Sequence, residues 1–73
     1  MNDYCIVIDN GEMKRKIEAG SDYNGALKAW QSFVDRGSCF RVTLIELDVD
    51  GDYLAADWQK GERPRHSFIR TKW

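Results

Sequence analysis

The sequence predicts an α+β domain in which one amphipathic helix, at about 22–35, packs on one antiparallel sheet of four to five strands. Three observations predict this fold, with the element order β-β-α-β-β-β: short β-branched runs that end at turn residues, one apolar stripe with helical spacing, and a length of 73 residues. That length suffices for a single domain over 1–73. Hydrophobic residues at 42% and charged residues at 32% are typical of a globular protein rather than of a disordered chain.

The first two strands are predicted to form a hairpin. Residues 4–8, YCIVI, are a compact β-branched run, and Asp9, Asn10 and Gly11 supply a tight turn after it. Residues 13–19 alternate weakly and carry Lys14 and Lys16, which indicates an edge strand protected against pairing with other chains.

The helix is predicted from its caps and its apolar stripe. Ser21 is the expected N-cap and Asp22 complements the helix start, while Gly37 suits a left-handed C-terminal cap. Gly25 costs about 1 kcal/mol relative to alanine, so we expect the helix to depend on packing. The stripe has the spacing of one helix face and consists of Tyr23, Ala26, Leu27, Trp30, Phe33 and Val34.

The last three strands are predicted at 39–47, which should be central in the sheet, at 53–58, and at the edge over 65–73. Residues 48–52 form the turn between the first two of these, and 59–64 form a polar connection. Because one helix of this length leaves much of the sheet uncovered, we expect the outer face to be partly exposed. Its apolar groups, with Trp58, Phe68 and Trp73 as candidates, would then meet a partner or a second copy of the chain.

Composition and motifs argue against catalysis, metal and membranes. Cys5, Cys39 and His66 are scattered singly, so we expect no metal site and no cofactor, and buried thiols rather than the alternative disulfide. Ser67 lies beside His66, but neighbours on a strand point to opposite faces, so we do not expect an enzyme. No apolar run approaches the roughly 20 residues that cross a bilayer, and the start shows no secretory signal, which predicts a cytoplasmic protein.

Charge separates the last 28 residues into two patches. The segment 46–58 contains five acids and no base, whereas 59–73 contains five bases and Glu62. Asp48, Asp50 and Asp52 do not fit a calcium loop, since the glycine comes fourth and strands flank the turn. They are either solvated turn residues or carboxylates that mimic phosphates on a nucleic-acid-binding surface.

The basic patch has two interpretations. Arg63, Arg65 and Arg70 are candidate contacts to nucleic acid or to an acidic protein, and the alternative is a solvated edge strand whose charges prevent aggregation. The bases at 14–16 would favour nucleic acid if the two edge strands lay together. Trp58 and Trp73 are candidate interface anchors, because tryptophan is enriched at binding hot spots.

A resemblance covers about 17–63. The pattern is similar to that of small phage-encoded anti-CRISPR proteins, and most of all to type I-F inhibitors with a helix on a small antiparallel sheet, with a one-residue shift in each hairpin. The residues that carry it are Ile17-Glu18-Ala19, Ala26, Cys39-Phe40, Thr43, Ile45-Glu46, Val49, Gly51, Leu54-Ala55, Gly61 and Arg63.

The resemblance implies a non-enzymatic protein that binds subunits of a CRISPR effector complex and hinders target DNA from hybridising. It assigns no contact residues. The expected function is therefore an inhibitor that acts by steric and electrostatic occlusion. Two alternatives stay open: a module that binds nucleic acid directly through its basic strands, and a homodimeric accessory protein.

Overall fold

The computed structural model describes residues 3–73, with the side chains of all of them except 67–70. Five strands form one antiparallel sheet in the order β2-β1-β3-β4-β5, and one helix packs on it. The elements are β1 (Asp3–Asp9), β2 (Lys14–Glu18), α1 (Tyr23–Arg36), β3 (Arg41–Asp48), β4 (Gly51–Gln59) and β5 (Arg65–Lys72). The α+β prediction is confirmed, with β3 in the centre and β2 and β5 at the edges.

The helix begins one residue later than predicted, and its N-cap is Asp22 rather than Ser21. The Asp22 carboxylate accepts a hydrogen bond of 2.9 Å from the Gly25 amide, which satisfies a donor that the helix itself leaves unpaired. A Cβ atom at Gly25 would stand 3.0 Å from that carboxylate oxygen, so the glycine makes room for the cap. Gly37 ends the helix in the left-handed conformation, as predicted.

The core lies between the helix and the sheet. Trp30 is fully buried and its indole N–H donates to the Val42 carbonyl at 2.9 Å, which ties the helix to the central strand. Ile6, Leu44 and Ala56 complete the sheet side of this contact from three adjacent strands. Trp58 is half-buried and packs against the same core, on the face that the helix covers.

The second face of the sheet is buried at its centre. Cys5, Val7, Thr43 and Ile45 alternate with the helix-facing residues along β1 and β3, and each is buried. Other apolar groups of this face are partly exposed: Leu47 is 38% exposed, and Trp73, which is half-exposed, adjoins a small cavity beside Val7 and Thr43. The side chain of Phe68 lies outside the described set.

The β3–β4 hairpin is tighter than predicted. Only Val49 and Asp50 form the turn, because Asp48 and Gly51 already pair as strand residues. A β-bulge at Ala55 then shifts the pairing, so that Leu54 opposes Ile45 while Ala56 opposes Leu44.

Both cysteines are free and buried, as predicted. Cys5 lies on the second face and Cys39 belongs to the helix-side core, so the sheet separates the two thiols. Within the described part of the chain, no helix has the length and hydropathy to span a membrane.

Candidate functional site

The strand register collects acids at one end of the sheet. β1 starts there, and β2 and β3 end there, because Asp3 opposes Leu47 and Glu18 opposes Cys5. The helix also starts there, since the Gly20 carbonyl accepts a hydrogen bond from the Tyr4 amide. We call this surface the acidic end. It holds seven of the 12 acids of the chain, namely Asp3, Glu18, Asp22, Glu46, Asp48, Asp50 and Asp52.

The hairpin at the acidic end is held in one conformation by its own side chains. The Asp48 carboxylate accepts the Val49 amide at 2.7 Å, and the Asp50 carboxylate accepts the Tyr53 hydroxyl at 2.9 Å. Lys72 of β5 donates to the Asp50 carbonyl at 3.4 Å. These contacts orient the acids of the hairpin.

Apolar side chains accompany these acids. Val49 at the turn is fully exposed, and Leu47 is 38% exposed on β3. Leu47 lines a cavity of about 200 Å³ together with Asp3, Tyr4 and Glu18. This surface offers a partner both carboxylates and apolar area. A turn that only contacts solvent would need carboxylates but no exposed apolar side chains.

Two tyrosines join the helix start to the acidic end. The rings of Tyr4 and Tyr23 lie 5.7 Å apart between centroids. Burial raises the pKa of Tyr4, and the negative charge of Glu46, which accepts the phenol hydrogen bond, raises it further. The protonated phenol donates to the Glu46 carboxylate and so joins Tyr4 to Glu46.

Bases collect at the opposite end, where α1 ends and β2, β3 and β5 begin. We call this surface the basic end; it consists of Lys14, Arg15, Arg36, Arg41, Lys60, Arg63 and Arg65. Acids also lie here, and Asp57 accepts from Arg41 at 2.7 and 3.1 Å and from the Thr43 hydroxyl at 2.9 Å. The hydrogen bond with Asp57 is the main cause that raises the pKa of Arg41.

The predicted site residues are thus divided between two ends. Asp48, Asp50 and Asp52 lie together, as the sequence suggested. Arg63 and Arg65 are exposed at the basic end, where Arg65 makes a long ion pair of 3.7 Å with Glu62. Lys72 belongs to the acidic end, and the side chain of Arg70 lies outside the described set.

β2 and β5 are opposite edges of the hydrogen-bonded sheet, although Lys14 of β2 and Trp73 after β5 line one small cavity. Trp58 supports the helix-side core, and Trp73 is the more exposed of the two predicted anchors. Sequence reasoning missed Asp3, Glu18 and Asp22 as members of the acidic end. Only the pairing of β1 with β2 and β3 brings them there.

His66 is the single histidine of the chain. His66 stacks edge-on against Trp30 with 5.5 Å between centroids, a packing contact. Among the residues with described side chains, no three metal-ligating groups come together. Searches of known protein families, of curated proteins and of solved structures found no match for this chain.

Proposed function

We propose that the protein is a non-enzymatic inhibitor that binds a CRISPR surveillance complex in the host cytoplasm and blocks recognition of target DNA. The acidic end is the contact surface. The observation that carries this proposal is the β3–β4 hairpin, which presents three carboxylates around the fully exposed Val49. The complex is the target that the resemblance to anti-CRISPR proteins nominates.

Electrostatics favours a basic protein surface as the partner of the acidic end. Seven clustered acids repel phosphates and attract the lysine and arginine side chains with which such complexes hold nucleic acid. Val49 and Leu47 add apolar area, which stabilises a protein interface through burial. Occupation of those bases by carboxylates would compete directly with DNA.

The size of the domain suits occlusion. Its longest dimension is 31 Å, which corresponds to about nine base steps of DNA at 3.4 Å each. A standard interface buries about 800 Å² on each partner, a minor part of the 5124 Å² surface of this chain. One bound copy is therefore long enough to occupy about nine base steps of a DNA-binding groove.

A competition experiment tests the proposal. A purified type I-F surveillance complex is incubated with the protein, and the binding of labelled target duplex is measured by gel shift. We expect the protein to prevent the shift, and the triple variant Asp48→Asn, Asp50→Asn and Asp52→Asn to need about 10- to 100-fold more protein. Asparagine keeps the side-chain oxygens that accept the hydrogen bonds within the hairpin.

The matched control carries the same charge change away from the acidic end, with Glu12→Gln, Asp35→Asn and Glu62→Gln. It should inhibit like the unmodified protein. Equal inhibition by both triple variants would overturn the role of the acidic end, and no inhibition by the unmodified protein would overturn the proposed target. If a pull-down with the protein captures the complex only in the absence of nuclease, the protein would instead be a direct nucleic-acid-binding module.

A further inference from the structure

An exposed aromatic ring stands at the basic end, where the proposed inhibitor function makes no use of it. Phe40 is 55% exposed although its main chain is held from both sides. Its amide donates to the Asp9 carbonyl at 2.9 Å, and its carbonyl accepts from the Lys60 amide at 2.8 Å. The ring edge lies against Gly11, so closely that a Cβ atom there would come within 2.5 Å of it.

One cation lies beside this ring, since the Lys60 ammonium is 5.7 Å from the ring centroid. Lys60 makes no ion pair with any side chain that the structure describes. The neighbouring Asp57 is already engaged by Arg41, and the Asp9 carboxylate accepts the Gly11 amide at 2.8 Å. Lys60 therefore has capacity for an anion beside the ring.

We propose that the basic end binds single-stranded nucleic acid, with one base stacked on Phe40 and a flanking phosphate contacted by Lys60. Stacking on an aromatic ring beside lysines is the chemistry by which proteins hold single strands without reading their sequence. A duplex fits less well, because its bases are already stacked on one another. This surface lies at the end of the sheet opposite the acidic end, so nucleic-acid binding there is separate from the proposed inhibitor function.

The net charge of −1 does not oppose this binding. From Arg41 to Asp48, β3 advances seven residues, or about 23 Å at 3.3 Å per residue. The Debye length in physiological salt is about 8 Å, so the acidic end is screened from a strand bound at the basic end. The two ends can act separately.

Fluorescence anisotropy with a labelled oligothymidine of about 15 nucleotides tests the proposal. We expect the oligonucleotide to bind at low ionic strength and the affinity to fall as the salt concentration rises. A duplex of the same length should bind more weakly. Phe40→Leu should weaken binding about tenfold, whereas Phe40→Tyr, which keeps the ring, should stay within about threefold of the unmodified protein. Lys60→Gln should also weaken binding and reduce the salt dependence, while the control Lys28→Gln on the helix should change neither.

Equal affinities for Phe40→Leu and Phe40→Tyr would overturn the stacking role. A preference for duplex, or the absence of binding at low salt, would overturn the proposal as a whole. Circular dichroism establishes that each variant is folded, and Lys60→Gln tests the site even if Phe40→Leu does not fold. The Asp48, Asp50 and Asp52 triple variant should keep its oligonucleotide binding, so failure here is distinguishable from failure of the proposed inhibitor function.

Discussion

Replacing Gly11 by alanine is expected to destabilise the protein by about 2–3 kcal/mol and to displace the ring of Phe40. Gly11 has a φ of 94°, a left-handed conformation that costs an ordinary residue about 1–2 kcal/mol. The new Cβ atom would also stand 2.5 and 2.8 Å from two atoms of the Phe40 ring. Because the ring is partly exposed, it can turn away, at a cost of about 1 kcal/mol for leaving its rotamer.

Gly61 provides a matched control for the backbone contribution. Its φ is 88°, close to that of Gly11, but apart from the adjoining residues no atom that the structure describes lies within 4 Å of the position that a Cβ atom would take. Gly61→Ala should therefore cost only the about 1–2 kcal/mol of the left-handed conformation. The difference in stability between Gly11→Ala and Gly61→Ala therefore measures the cost of the contact with the Phe40 ring.

Thermal unfolding followed by circular dichroism measures this difference. For a domain of this size, 1 kcal/mol corresponds to about 4–8 °C in Tm, so Gly11→Ala should melt about that much below Gly61→Ala. In a Phe40→Ala background the two glycine variants should melt alike. Equal melting temperatures in the unmodified background would refute the inferred packing of Phe40 on the turn, and with it the fixed position of the stacking ring.

Three further predictions concern the packing and the charges. Trp30→Phe should cost about 2–4 kcal/mol in denaturant unfolding, because it opens a cavity and removes the indole hydrogen bond to the Val42 carbonyl; a cost under about 1 kcal/mol would contradict the buried hydrogen bond. Asp57→Asn should cost about 1–2 kcal/mol by the same measurement, since it breaks a bidentate pair with Arg41 that solvent partly screens. The raised pKa of Tyr4 stabilises the fold below the ordinary tyrosine pKa of 10.0 and loses that contribution as pH rises through the higher folded value. Tyr4→Phe should therefore flatten the alkaline loss of stability, and an unchanged pH profile would contradict the raised pKa.

Local sequence patterns predicted most of the secondary structure. The apolar stripe around Trp30 predicted the helix to within one residue at each end. β-branched runs, alternation and turn residues together predicted all five strands, because each of these signals spans only a few residues. The predicted N-cap, Ser21, was wrong, because the structure has Asp22 in that position. Ser21 and Asp22 are both good N-caps, and the choice depends on which of them has the backbone geometry that aims its oxygen at the Gly25 amide.

The buried centre of the second face and the bulge at Ala55 could not be predicted from these patterns. Burial on the second face depends on how the strands twist and on where Trp73 comes to lie, and both follow from the whole sheet. A bulge shifts the pairing by a single residue, which alternation along a short strand does not reveal.

For the candidate sites, the sequence by itself determined that carboxylates cluster at the β3–β4 turn and that bases follow in the next segment, because those residues are neighbours in the chain. Only the tertiary structure decided that Asp3, Glu18 and Asp22 join the turn at one end of the sheet. It likewise decided that Gly11, Phe40 and Lys60 meet at the other end. The physical reason is that strand pairing and register place residues from distant parts of the chain side by side, and neither property is encoded in any one segment.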